Sequence, residues 1–92
     1  MKKRKEKLSD DFIKNQKSKI LLMVQDCEKQ LELISDPKEK QNQTQILNHF
    51  QKILDLISNY PKSYGICVRC NGDIEIQRLE AIPTAMVCKK CI

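Results

Sequence analysis

Between Leu8 and Ile34 apolar residues recur with a helical rhythm: Ile13, Ile20, Val24, Cys27, Leu31 and Ile34 are separated by 7, 4, 3, 4 and 3 positions. That spacing draws one narrow stripe along an α-helix, with polar residues around the rest of its circumference. The gap of seven is centred on Lys17, whose aliphatic stem can cover the missing turn. Ser9 marks the start as an N-cap, Asp10 and Asp11 favour the positive end of the dipole, and Leu8 is placed to staple against Ile13. A second stripe follows in Ile46, Phe50, Ile53, Ile57, Tyr60 and Tyr64, at spacings of 4, 3, 4, 3 and 4, with Leu47, Leu54 and Leu56 beside or opposite it. Pro61 disfavours helical geometry at Tyr60, so this helix should end near Asn59.

Two seams joined by a short polar connector predict an antiparallel, coiled-coil-like hairpin, each helix burying what the other exposes. At about 1.5 Å per residue, helices of roughly 25 residues make an arm of about 35 to 40 Å. Its tip falls near residues 35–44, where the stretch SDPKEK offers Asp36 as N-cap, Pro37 at the first helical position and Glu39 at the third, the pattern of a capping box. Cys27 occupies a seam position and reads as a small core hydrophobe. His49, beside Phe50 at the border of the second stripe, has no acidic or nucleophilic partner at a suggestive spacing and reads as a boundary residue.

After residue 60 the pattern changes, and two of the three prolines, both glycines and four of the five cysteines lie in residues 61–92. Ile74, Ile76 and Leu79 suggest a short β-hairpin there, with a turn or helical start at Pro83-Thr84. Cys67-Val68-Arg69-Cys70 and Cys88-Lys89-Lys90-Cys91 are separated by 17 residues, the spacing of a four-cysteine structural zinc site. Two residues between thiolates let one tight turn present both sulfurs, and two such knuckles complete a tetrahedron. Asn71-Gly72 supplies permissive backbone just after the first knuckle. A closed shell of Cys67, Cys70, Cys88 and Cys91 leaves no position for water or substrate, so one Zn2+ here is structural. The competing reading, a redox CxxC pair, lacks the βαβ pattern that surrounds such motifs.

The predicted fold is therefore mainly α: a basic N-terminal tail at 1–8, an antiparallel helical hairpin at 9–60 and a small four-cysteine zinc finger at 61–92. The net charge of +5 is mostly local, because Met1 to Lys7 contributes +4 of it and the other 85 residues only +1. That favours a solvated basic terminus over a basic groove. The longest purely apolar run, Ile20 to Val24, is too short for a signal peptide or a membrane span, and a cytoplasmic protein with reduced thiols is expected. No Ser/His/Asp array, glycine-rich phosphate loop or open metal position is present, which points away from an enzyme.

The stretch YGICVRCNGDIEIQRLEAIPTAMVCKKC, residues 64 to 91, resembles the zinc finger of the bacterial DksA/TraR family in its cysteine spacing and in the internal segment RLEAIPTA, Arg78 to Ala85. A helical hairpin directly before the finger matches the same family. The resemblance implies a cytoplasmic transcription regulator that binds RNA polymerase and not promoter DNA. It would enter the secondary channel with the hairpin tip facing the catalytic Mg2+ and modulate initiation, often together with ppGpp. It also implies a tip with two acidic residues three apart, the first followed by Pro, onto which Asp36 and Glu39 fall. Gln41 stands where the family has Ala, and the chain ends one residue after Cys91 without the helix that follows the finger in DksA/TraR proteins. A monomer without sequence-specific DNA binding or membrane attachment is expected. Two other readings of the residues stand beside this one: a zinc-ribbon module that binds nucleic acid through the basic tail and Arg69, Lys89 and Lys90, and a helical adaptor that pairs through Leu47, Leu54 and Leu56.

Overall fold

The computed structural model describes residues 3–92. Helix α1 spans Asp10–Leu33 and helix α2 spans Pro37–Asn59, joined by Ile34, Ser35 and Asp36 alone. They pack side by side as an antiparallel hairpin in a molecule of 44 × 27 × 23 Å. Both predicted caps are made: Ser9 Oγ accepts from the Phe12 amide at 3.1 Å and Asp36 Oδ1 from the Lys38 amide at 3.1 Å. Pro37 occupies the first turn of α2, where its missing N–H costs nothing. No helix of the described residues is long and apolar enough to cross a membrane.

The seam holds Ile20, Val24 and Cys27 from α1 against Ile53 and Ile57 from α2, all buried. Cys27 packs as a small hydrophobe, with the Gln43 side-chain amide donating to its Sγ at 3.2 Å. The expected cover at Lys17 is corrected: Lys17 is exposed and Gln16 fills the gap, 1% exposed. Gln16 divides the gap between Ile13 and Ile20 as three then four and Lys17 as four then three, both helical; Gln16 wins because its amide finds partners in the finger. Toward the tip the apolar stripe thins out, with Leu31 and Ile34 half-buried and Ile46 and Leu33 exposed. Leu47, Leu54 and Leu56 are half-buried within the fold, and Leu54 packs against the core, so the surface assumed for an adaptor is largely covered.

Tyr60 leaves the stripe, 51% exposed, because the chain turns out of the helix there and into a 3-10 turn at Pro61–Ser63. Tyr64 then swings back to full burial. The short β-hairpin expected around Ile74 and Ile76 reduces to one bridge between Ile66 and Asp73, and helix α3 begins at Ile76 and runs to Ala81. Leu79 on α3 is buried in a single cluster with Ile20, Ile53, Ile57, Tyr64, Cys67, Ile74 and Cys88, so hairpin base and finger share one core.

The N-terminal segment differs most from expectation. Met1 and Lys2 of the predicted basic tail lie outside the described residues, but Arg4 is docked, its side chain only 3% exposed. Its Nη1 donates to the carbonyls of Gly65 at 2.6 Å and Ile74 at 2.8 Å. The Lys5 and Glu6 amides both donate to the Asp73 carboxylate, at 2.8 and 2.7 Å. Burial pushes the Asp73 carboxyl up, but those two amides and the Arg4 charge outweigh it and hold the group below its ordinary value. A solvated tail is thus replaced, from Arg4 onward, by a strap clasped across the finger, with Leu8 buried behind it.

Candidate metal centre and acidic tip

The first cysteine pair sits on a tight turn in which the Asn71 amide donates to the Cys67 carbonyl at 3.0 Å and the Cys67 amide to the Gly72 carbonyl at 2.8 Å. Asn71 takes the left-handed conformation the turn needs, with φ 61°, so Asn and not the adjacent Gly72 supplies the special backbone. The second pair opens a 3-10 turn at Lys89–Cys91 whose Cys91 amide returns to the Cys88 carbonyl at 3.0 Å. A Val68 amide bond to the Met86 carbonyl, at 2.9 Å, ties the two knuckles together. Glu75, at the start of α3, accepts from the Lys89 amide at 3.1 Å, and this bond is the main cause of its lowered carboxyl pKa.

These turns bring the sulfurs of Cys67, Cys70, Cys88 and Cys91 within 4.8 Å of one another, with Cys70 and Cys88 Sγ 3.6 Å apart. A tetrahedron with Zn–S bonds of about 2.3 Å has sulfurs roughly 3.8 Å apart, so the donor set fits one zinc ion. Two of the thiols are shifted, in opposite directions. Cys67 is drawn down to about 6, first by the Cys70 backbone amide, with the Cys88 and Arg69 amides helping against burial. Cys91 is pushed up to about 12, first by the Cys88 sulfur and then by those of Cys67 and Cys70 and by burial. Four thiolates in so small a volume repel one another, and a divalent cation is what stabilises them together. Arg69, Lys89 and Lys90 stand exposed around the cluster and soften its negative charge.

Behind the metal centre lies a set of buried polar contacts that the apolar pattern did not reveal. Gln16 Nε2 donates to the Leu79 carbonyl at 2.6 Å and to Tyr64 OH at 3.1 Å, while Tyr64 OH donates to the Pro83 carbonyl at 2.6 Å. Burial raises the Tyr64 pKa, against the Gln16 bond and the Arg4 charge, so the phenol stays protonated and able to donate. His49, read as a boundary residue, is indeed half-buried and lies with Nε2 3.3 Å from the Thr84 carbonyl. Arg78 completes the set by donating from Nε to the Val87 carbonyl at 2.8 Å. The segment Arg78 to Ala85 therefore supplies the polar part of the surface on which the finger receives the hairpin.

At the opposite end of the arm Asp36 and Glu39 are both exposed, one turn apart at the start of α2. The capping box is not made: Asp36 accepts from the Lys38 amide, one residue short of Glu39, and Glu39 remains on the surface. One carboxylate is thus held by its cap and the other stands exposed.

The class defined by these features is a helical hairpin mounted on a four-cysteine, structural-zinc finger. Residues 62–91 match the model of the prokaryotic dksA/traR C4-type zinc finger. The chain is also similar to a solved structure described as the RNA polymerase binding protein and transcriptional regulator Dks from Chlamydia trachomatis. The two share 27% identity and a TM-score of 0.68, over 92% of this chain and 87% of that one. No curated protein matches the chain significantly. The finger is thus of the dksA/traR type, the hairpin before it has its counterpart in that regulator's fold, and the cofactor is one structural zinc ion.

Proposed function

We propose that the protein is a cytoplasmic transcription regulator, not an enzyme, that binds RNA polymerase as a monomer. In this reading the hairpin enters the secondary channel, and Asp36 and Glu39 act near the polymerase active centre to modulate initiation. Cys67, Cys70, Cys88 and Cys91 hold the zinc that keeps the arm mounted. The observation that carries the reading is the likeness to an RNA polymerase binding regulator over nearly the whole of both chains, hairpin included. A carboxylate placed close to a catalytic metal competes for its ligands and reshapes the local field without performing chemistry of its own.

Asp36→Asn tests the tip. Asn remains a good N-cap, so helicity and zinc content should match the wild type, while the charge is gone. The expected outcome is unchanged polymerase binding with a weakened effect on initiation in vitro, measured with and without ppGpp. Unchanged transcription would leave Asp36 as a cap and nothing more. No detectable binding of the wild-type protein to polymerase would overturn the whole reading, and steeply salt-dependent binding to free DNA would favour the nucleic-acid alternative.

A further inference from the structure

Besides the shared apolar core, the finger offers the hairpin one short polar stretch, Leu79 to Thr84, and three side chains from outside it end on backbone carbonyls of that stretch. Gln16 reaches Leu79 from α1, Tyr64 reaches Pro83 from the connector, and His49 approaches Thr84 from α2. We infer that Gln16 is the positioning residue of the arm. With Tyr64 and His49 it fixes the angle between hairpin and finger, and so decides where the Asp36–Glu39 end points. The inference rests on the tip being the functional end, as proposed above.

Apolar contacts alone would not set that angle, because hydrophobic burial is non-directional and tolerates sliding between surfaces. Hydrogen bonds are directional, and a buried group that loses its partner keeps the cost of its lost hydration. Gln16 and Tyr64 are each 1% exposed and bonded to one another as well as to the stretch, so tilting either helix strands several buried groups at once. The receiving stretch is itself braced, by the Ile82 amide on the Arg78 carbonyl and the Ala85 amide on the Ile82 carbonyl. Arg78 carries the brace on to Val87, the residue before the second zinc knuckle.

Leverage makes the angle matter. Gln16 lies in the second turn of α1, and the tip is about 25 to 30 Å further along at 1.5 Å per residue. A tilt of about 10° at the base would carry the carboxylates by roughly 5 Å over that length, enough to move a charge into or out of contact with a metal site.

Residual dipolar couplings on the full, zinc-loaded chain test the positioning directly. In the wild type a single alignment tensor should fit the helices and the finger together. In Gln16→Leu, which keeps most of the volume and loses both donors, two tensors are expected, with one zinc still bound. Tyr64→Phe, which keeps the ring and removes the bond to Pro83, should show the same separation and serves if Gln16→Leu folds poorly. A single tensor in both variants overturns the inference. In transcription assays Gln16→Leu should keep polymerase affinity to within about threefold and lose about tenfold of its effect. In an Asp36→Asn background it should add nothing further, and an additive defect would mark Gln16 as a merely stabilising residue and overturn the positioning role. A wild-type protein without effect on transcription would instead sink the proposed function, with the tensors still deciding whether Gln16 sets the angle.

Discussion

Gly65 shows how much can rest on one residue without a side chain. It holds φ at +82°, and an added Cβ would meet Arg4 Nη1 at 2.7 Å and Leu79 Cδ1 at 3.0 Å. Arg4 can give way only by breaking its bonds to Gly65 and Ile74. Gly65→Ala should therefore cost about 2 to 3 kcal/mol, from the left-handed backbone and the lost charged hydrogen bonds. A lowered thermal midpoint checks this, together with faster exchange of the Lys5 and Glu6 amides as the strap loosens. Nothing in the pattern of apolar residues singled Gly65 out, because its constraint comes from Arg4, 61 residues earlier. The zinc ligands were legible for the opposite reason: each pair is local, its two-residue loop is dictated by turn geometry, and only the closing of one pair on the other is long-range.

Elements were legible where the period was long and strained where it was short. The two hairpin helices follow from their stripes, and their starts from Ser9 and Asp36. The choice between Gln16 and Lys17 could not be read, since a polar residue leaves no mark in a hydrophobic period and its partners lie in another element. α3 was misread for a related reason, as Ile74, Ile76 and Leu79 fit an alternating pattern as readily as one helical turn, and only the shared core decides between them. At the tip the cap and the charge can be separated. Asp36→Ala removes both, and should cost about 1 kcal/mol and fray the start of α2. Asp36→Asn removes the charge alone and should do neither, so circular dichroism of the pair tells one role from the other.

At the scale of the molecule, the zinc site and the hairpin base are one structure, because Cys67 and Cys88 are buried in the same cluster as Ile20, Ile53 and Ile57. Structural zinc contributes on the order of 10 kcal/mol or more, so a strong chelator should unfold the finger and uncover the base of the arm. The expected signs are loss of the environment of Tyr64 in near-ultraviolet spectra and a partial fall in helicity. Acid should act in the same direction: zinc binds thiolates, so protons compete as pH falls and zinc is retained as it rises. The Asp73 clasp shares that sign, since a depressed carboxyl pKa contributes stability that is lost as pH drops through and below the ordinary value of 3.8. The clasp also imposes an order on synthesis. Arg4 is made 61 and 70 residues before the carbonyls that receive it, those of Gly65 and Ile74. Closing so long a loop is entropically costly until the knuckle is made. The strap is thus late to find its place, and its docking reports that the turn carrying the first cysteine pair has formed.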